Sequence, residues 1–362
     1  MAASFSSLAL TQVLPFLPLA QGDIDYQTDR RGEPGLIDAV LAQTGTTVVF
    51  VRDGLVAVPD GQAARVDYET AKIRLAEVPG EYVLRGFGGA LGDSEETGVI
   101  AMFLGSYGVG TAHPQAVVAL DVSGLADAAE ANGDDHAGAS SSTVLPTVLK
   151  RALERFDWVS LRGFAAHGSA RQVGQATTAV ALCMWHASQR HCPRCGSPVR
   201  PANAGWAQRC VNEGCPSHRS LLFPRIEPAV IVSIVDGQGR LLLQHNKAWK
   251  NPTRYSVCAG FVEAGENLEH ACRREASEET GLKLGELKYL GSQPWPFPAS
   301  LMVAFKARAL GTDIDVDNRE TVDARFFTRD EFADALTEGR VAWPGKSTVA
   351  RYMIEEWYGQ KL

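Results

Sequence analysis

The stretch Gly260–Leu282, GFVEAGENLEHACRREASEETGL, decides how the rest of this chain is read. It gathers the carboxylates Glu263, Glu266, Glu275, Glu278 and Glu279 around one short helix bounded by two glycines. A solvated helix has no need of so much negative charge on one side. Glu275 and Glu279 stand at i and i+4, with Glu278 at i+3 from Glu275, so all three project from one face. Hard cations such as Mg²⁺ take oxygen ligands, typically a few carboxylates completed by water and a substrate's phosphates. The spacing therefore predicts a helix over residues 268–280 that presents divalent cations to a diphosphate.

The order of residues is more specific than the composition. From Gly260, five residues lead to Glu266 and seven more to Arg274, and the run Glu275 to Leu282 follows without a gap. This order resembles the Nudix box, the signature of hydrolases that cleave nucleoside diphosphates linked to another group. Ala276 is small where that family more often carries a bulky aliphatic residue, a departure that bears on packing more than on chemistry. The resemblance implies that Glu275, Glu278 and Glu279 hold Mg²⁺ or Mn²⁺ and act in catalysis, with Glu266 and Arg274 orienting them from behind. Glu320, in ETVDARFF, matches a later family glutamate that joins the metal site; taken alone it would be a solvated loop charge. Which of Glu278, Glu279 and Glu320 accepts the proton of the attacking water stays open.

Length and composition set the outer bounds. At 362 residues the chain has room for two or three domains, each with a sizeable core. A net charge of −7 argues against a general nucleic-acid coat but leaves room for a local basic patch. No apolar run reaches the roughly 20 residues that a membrane-spanning helix needs. The apolar stretch Leu8–Ala20 lacks a preceding Lys or Arg and contains Pro15 and Pro18, so it reads poorly as a signal peptide. These features point to a cytoplasmic protein.

Four of the seven cysteines fall in one window, Cys192 and Cys195, then Cys210 and Cys215. Two such knuckles suit tetrahedral thiolate coordination of Zn²⁺, and four protein ligands leave no open position, so the expected site is structural. Two disulfides would be the alternative, at odds with a chain lacking a secretion signal. Cys183, Cys258 and Cys272 read as buried small hydrophobes, and His186, His191 and His218 as bystanders. Between Arg190 and Arg225 lie six arginines and one acid, Glu213, a formal +5. These charges either balance a zinc tetrathiolate or form a ridge that binds the phosphates of an RNA.

Along the chain, residues 1–165 read as a first α/β domain without a catalytic constellation, with strand-like runs at Thr46–Val51, Tyr82–Phe87, Val99–Leu104 and Ala116–Val122. Asp53-Gly54 suggests a hairpin turn, and Asp127–Ser142 a mobile polar loop. A linking helix occupies 166–189 and the ribbon 190–220. The catalytic domain takes 221–362, with strands at Ala229–Val235, Arg240–His245, Lys288–Gly291, Leu301–Ala307 and Asp323–Phe327. Helices at Arg329–Leu336 and Thr348–Trp357 close it. The expected fold class is α/β, a Nudix α/β/α sandwich with a mixed sheet.

Ten residues after the box comes SQPWPFPAS, Ser292–Ser300, read as a stiff loop in which three prolines alternate with Trp295 and Phe297. Aromatic faces there suit a flat base. This array, the four cysteines and Phe223-Pro224-Arg225 together resemble the NADH pyrophosphatase subfamily. That subfamily cleaves NADH or NAD⁺ to nicotinamide mononucleotide and AMP, and its bacterial members also remove NAD caps from RNA. The resemblance implies substrate contacts from Phe223, Phe261, Gln293, Trp295, Phe297 and Ser300. It further implies a divergent Nudix-like first domain and a homodimer in which one of Phe223 and Phe261 comes from the partner subunit. Phe223 stands where the subfamily usually has Tyr, Glu227 where Asp is common, and Phe326 where it has Trp. Two other readings compete: a Nudix hydrolase of ADP-ribose or another nucleoside diphosphate derivative, and a zinc-ribbon RNA-binding protein with a dead Nudix fold.

Overall fold

A computed structural model describes residues 8, 11–14, 16–20, 22–68, 70–91, 97–125, 150 and 154–361. The polar stretch Asp127–Ser142 lies outside the described residues. The chain divides into two units. One comprises Gln21–Arg225 with Pro296–Ala299; the other comprises Ile226–Trp295 and Ser300–Leu362 together with the segment up to Ala20.

The first unit is built on strands β1 (Thr47–Arg52), β2 (Leu55–Pro59), β3 (Val78–Pro79), β4 (Ile100–Tyr107), β5 (Gln115–Asp121) and β6 (Phe156–Ser160). They lie in the order β4-β5-β1-β2-β6, with β3 also on β1. β1 and β5 run parallel and the other pairs antiparallel. The β1–β2 turn falls at Asp53-Gly54, as the sequence suggested. Helices α1 (Leu36–Leu41), α2 (Gly80–Gly86), α3 (Leu161–Ala165) and α4 (Ala170–Ser188) flank this sheet. The run at Tyr82–Phe87, expected as a strand, lies largely within α2. Its apolar residues Val83, Leu84 and Phe87 recur at helical spacing and pack on one core, while Tyr82 points to solvent. The ribbon follows as the hairpin β7 (Val199–Ala202) and β8 (Ala207–Cys210) with the short helix α5 (Pro216–Arg219).

The second unit repeats that strand pattern. Strands β9 (Glu227–Val235), β10 (Leu241–Asn246), β11 (Cys258–Phe261), β12 (Leu284–Trp295), β13 (Ser300–Ala309) and β14 (Thr321–Phe327) lie in the order β12-β13-β9-β10-β14, with β11 on β9. Again one central pair, β13 and β9, is parallel. Between β11 and β12, where the first unit has α2, stands α6 (Leu268–Thr280). After β14 come α7 (Arg329–Thr337) and α8 (Val349–Tyr358).

Strand alternation explains the sandwich. On β9, Val230, Val232 and Ile234 share a core with Ala271, Cys272 and Ala276 of α6. Ile231 and Val235 face the opposite core, with Phe332 of α7 and Met353, Ile354 and Trp357 of α8. Leu242 joins the first set and Leu241 and Leu243 the second. Each fully buried Val, Leu, Ile, Phe or Met among them contributes about 1.5–3 kcal/mol. Ala276 is completely buried, so its small side chain lets α6 lie close on the sheet.

Leu8 and Leu17 enter the core beneath α7 and α8, and the Leu14 N–H donates to the Leu290 carbonyl at 2.7 Å. The segment before Gln21 thus groups with the C-terminal unit, whereas the sequence had assigned it to a first domain at 1–165. Its apolar residues meet an exposed sheet face there, a long-range match that local sequence does not announce.

Helix α6 begins with Asn267 as N-cap, whose side-chain oxygen accepts the His270 N–H at 2.8 Å. It ends at Gly281 in the left-handed conformation, φ 71°, where glycine carries no Cβ penalty. Replacing Asn267 with Ala should lower the stability of the catalytic unit by about 1 kcal/mol, with Asn267→Ser restoring most of it. Thermal unfolding curves of the three proteins check this, and identical midpoints would show that the cap contributes nothing.

Candidate active site and zinc ribbon

Helix α6 places its glutamates in two different environments. Glu279 is buried at 4% exposure and faces the sheet. Gln244 Nε2 on β10 donates to its Oε2 at 2.8 Å, the Cys258 thiol on β11 to the same oxygen at 2.9 Å, and Thr321 Oγ1 on β14 to Oε1 at 3.3 Å. Burial nevertheless holds the Glu279 carboxyl above its ordinary range, and the charge of Glu275 adds to that. Burial also raises Glu275, with Glu278 and Glu320 adding repulsion against the pull of Arg274. A divalent cation held by both carboxylates would relieve this repulsion.

Arg274 organises the outer half. Its Nη1 donates to Glu275 Oε1 at 2.8 Å and to Glu278 Oε2 at 2.9 Å. Its Nε and Nη2 clasp the two oxygens of Glu266, each at 2.9 Å, and Nη2 also reaches the Phe261 carbonyl at 2.8 Å. These bonds from Arg274, with the Glu263 N–H, draw the Glu266 carboxyl down to about 2. Arg274 thus links Glu266 to Glu275 and Glu278. Gly260 is required on β11 because a Cβ there would fall on the Glu275 carboxylate. Glu278 is open to solvent, and Glu320 is exposed on the loop before β14, where its carbonyl accepts the Lys247 N–H at 2.7 Å. Among the described residues, Glu275, Glu278, Glu279 and Glu320 do not draw three ligand atoms as close together as the ribbon cysteines do. Their all-oxygen donor set and mutual repulsion fit a hard divalent cation.

The expected substrate contacts divide. Phe223 and Phe261 are about half exposed, at 48% and 55%. SQPWPFPAS is a loop only at Pro296–Ala299: Ser292–Trp295 complete β12 and Ser300 opens β13, with Gln293 opposite Met302 and Trp295 opposite Ser300. Strand alternation turns the Gln293 side chain inward, where it is fully buried. Its Nε2 donates to the Ser347 carbonyl at 3.1 Å and its Oε1 accepts the Leu19 N–H at 3.4 Å. With both ends of the amide so used, Gln293 braces the hairpin and is not a surface contact. Trp295 and Phe297 are half-buried and Ser300 is buried, with the Arg162 guanidinium 4.3 Å above the Phe297 ring.

Sequence reading missed Gln244, Cys258 and Thr321 as partners of Glu279. Cys258, expected as a small hydrophobe, instead spends its thiol on a carboxylate. A signal existed: Gln244 interrupts LLLQHN at a position that is buried, and a buried polar side chain needs a partner.

In the ribbon, Cys192 Sγ and Cys215 Sγ lie 3.8 Å apart and Cys195 Sγ and Cys210 Sγ 3.5 Å apart, with all four within 4.8 Å of one another. Disulfide sulfurs lie about 2.05 Å apart, whereas tetrahedral zinc with Zn–S bonds of about 2.3 Å separates its sulfurs by about 3.8 Å. The four thiols are free and fit zinc. Hydrogen bonds from Ser197 draw the Cys195 thiol down to about 6, and burial pushes Cys210 up to about 12. His218 stands outside the cysteine cluster, its Nδ1 meeting the Cys210 carbonyl at 2.8 Å. Arg209 donates to the His218 carbonyl at 2.6 Å and stands opposite Arg200 in the hairpin register.

Comparison with known proteins follows the same division. Residues 225–348 match the NUDIX domain, 187–218 the NADH pyrophosphatase zinc ribbon domain, and 39–185 the NADH pyrophosphatase-like rudimentary NUDIX domain. The human NAD-capped RNA hydrolase NUDT12 is 35% identical over 193 residues, 52% of this chain and 42% of that protein. The NAD-capped RNA hydrolase NudC of Mycobacterium bovis is 41% identical over 211 residues, 55% of this chain and 64% of that protein. The chain thus spans less than two thirds of either relative. A NUDIX hydrolase structure from Nitrosomonas europaea aligns with a TM-score of 0.37 at 21% identity, covering 48% of this chain and 95% of its own. The carboxylate helix, the four-thiol ribbon and the repeated sheet coincide with the three matched domains, and the chain belongs to the Nudix family, in the branch that joins a Nudix domain to an NADH pyrophosphatase zinc ribbon and a rudimentary Nudix-like domain.

Proposed function

We propose that this protein hydrolyses the diphosphate of NADH or NAD⁺ to nicotinamide mononucleotide and AMP, and removes NAD caps from RNA. The observation that carries this reading is the pair of carboxylates, half-buried Glu275 and buried Glu279, held above their ordinary range on the helix of a Nudix domain. The relatives named as NAD-capped RNA hydrolases support the choice of substrate. In this proposal Glu275, Glu278, Glu279 and Glu320 hold Mg²⁺ or Mn²⁺. A divalent cation so held neutralises the diphosphate, polarises phosphorus and lowers the pKa of a bound water. Glu266 fixes Arg274, and Arg274 in turn fixes the carboxylates of Glu275 and Glu278. Glu279 already accepts three hydrogen bonds, which makes Glu278 and Glu320, both exposed, the better proton acceptors. Phe223, Phe261, Trp295, Phe297 and Ser300 are the proposed substrate contacts, and the exposed rings of Phe261 and Phe223 suit stacking on a flat base or the nicotinamide.

Purified protein incubated with NADH, NAD⁺, ADP-ribose and NAD-capped RNA under Mg²⁺ and Mn²⁺ tests the reading. Metal-dependent release of AMP and nicotinamide mononucleotide is expected, with a loss of at least 100-fold in Glu279→Gln, on the order that a missing charge-stabilising group costs. Because burial raises both carboxyls, protons compete with the cation over a window above the usual carboxylate range. Activity should therefore fall as pH drops through that window, and excess metal should shift the fall to lower pH. Turnover of ADP-ribose alone would move the protein to another Nudix activity, and no turnover of any substrate would leave a binding protein.

The ribbon is proposed to hold one structural Zn²⁺ on Cys192, Cys195, Cys210 and Cys215. Metal analysis of purified protein should give one zinc per chain. Cys210→Ser should lose that zinc and lower the unfolding temperature, whereas full zinc retention would remove Cys210 from the ligand set. A homodimer is proposed as the working form, supported by Phe223 and Ile226, which leave about half of their surface uncovered. A single-chain mass in sedimentation equilibrium would refute it. No described helix is long and apolar enough to cross a membrane, and the cytoplasm is the proposed setting.

A further inference from the structure

A chain of net charge −7 whose active site is lined by glutamates repels RNA, yet one surface beside that site has the opposite character. Residues 245–254, HNKAWKNPTR, link β10 to β11 and carry Lys247, Lys250 and Arg254 with no acidic residue. All three cations are exposed. Lys247 Nζ reaches the Asn318 carbonyl at 3.5 Å and the Arg254 guanidinium lies 4.8 Å above the Trp249 ring, so neither of these partners is a carboxylate. Trp249 is half-buried, with the His245 ring packed edge-on at 5.8 Å. The segment is well ordered by its own bonds. Asn246 Oδ1 accepts the Ala248 N–H at 2.9 Å, Asn251 Oδ1 the Thr253 N–H at 3.0 Å, and the Thr253 carbonyl the Ala342 N–H.

Its position matters most. The Lys247 N–H donates to the Glu320 carbonyl, and the neighbouring strand register changes between His245 and Asn246, where Asn246 stands opposite Thr321. Thr321 is the residue whose hydroxyl reaches Glu279. The basic segment is therefore tied to the rim of the carboxylate site through Glu320 and the start of β14.

We infer that residues 247–254 form the binding surface for the single-stranded RNA body of a capped transcript, with Lys247, Lys250 and Arg254 on its phosphates and Trp249 as a stacking platform. This inference rests on the proposed reaction. When the diphosphate of an NAD cap lies at the glutamates, the adenosine is the first nucleotide of the RNA. The chain leaving its 3′ oxygen must pass from an acidic site to a surface that tolerates phosphate. Free NADH has no such chain and makes no use of the segment. Basic side chains interleaved with an aromatic ring are the usual means of holding a single strand without reading its sequence.

Two measurements on full-length protein separate this inference from the reading beneath it. The first is fluorescence anisotropy of a labelled single-stranded oligoribonucleotide in metal-free buffer, which needs no catalysis. Lys247→Ala/Lys250→Ala should weaken binding about tenfold and reduce the slope of log affinity against log salt by about 1.4, as loss of two phosphate contacts to a single strand implies. Trp249→Ala should weaken binding about tenfold, with Trp249→Phe largely restoring it. The second is kcat/KM on NAD-capped RNA and on NADH, where the loss on capped RNA should exceed that on NADH at least fivefold. Unchanged oligonucleotide binding overturns the inference. So does equal loss on both substrates, which would assign the segment to the cap itself. A defect produced by Arg200→Glu and by none of these variants would assign the RNA to the ribbon and overturn it likewise. If wild-type protein turns over neither substrate, the proposed reaction fails while the binding measurement still decides the surface.

Discussion

Burying one carboxylate sets the geometry of the catalytic unit. An ionised group taken out of water costs several kcal/mol unless hydrogen bonds replace its solvent. Glu279 receives donors from three different strands, Gln244 on β10, Cys258 on β11 and Thr321 on β14. Helix α6 can meet all three only at one height and one rotation on the sheet. That placement also seats the Glu275 carboxylate against Gly260, where a Cβ would displace it. The apolar contacts of Ala271, Cys272 and Ala276 hold the helix down, and the polar contacts of Glu279 fix its register.

The outer half of the site is held by charge. Arg274 touches Glu266, Glu275 and Glu278 together, and the Glu266 carboxyl falls to about 2 as a result. Half-buried Glu275 and buried Glu279 are pushed the other way. The Glu266 carboxylate, just ahead of the helix, therefore stays ionised down to acid pH beside two on the helix that favour a proton or a metal. This separation arises from burial and from a single guanidinium, with no difference in residue type.

The first unit repeats the sheet without repeating the carboxylate helix. Its strand order, its parallel central pair and its slot for a helix all repeat those of the catalytic unit. Helix α2 fills the slot with seven residues and one acid, Glu81, whose side chain pairs with Arg85 at 3.2 Å. Nothing in that helix can hold a cation as the glutamates of α6 are proposed to do. Function belongs to the residues grafted on the fold.

Much of the catalytic unit was legible because its signals are local. The cap at Asn267, the i, i+3 and i+4 spacing of Glu275, Glu278 and Glu279, and the glycine at 281 fix the limits of α6 within one short segment. The paired cysteines fixed the ribbon in the same way. Tertiary structure alone decided what depends on residues far apart in sequence. It converted Tyr82–Phe87 into a helix packed on the first core, and drew Leu8 and Leu17 into the second. It also closed SQPWPFPAS into a hairpin with Gln293 turned inward. The convergence of Gln244, Cys258 and Thr321 on Glu279 belongs to the same class, spanning 35, 21 and 42 residues of chain. The sequence by itself determined which groups could do chemistry, through residue type and helical spacing. Which of them are buried, paired or exposed was decided by long-range packing, because solvation is a property of the surroundings and not of the residue.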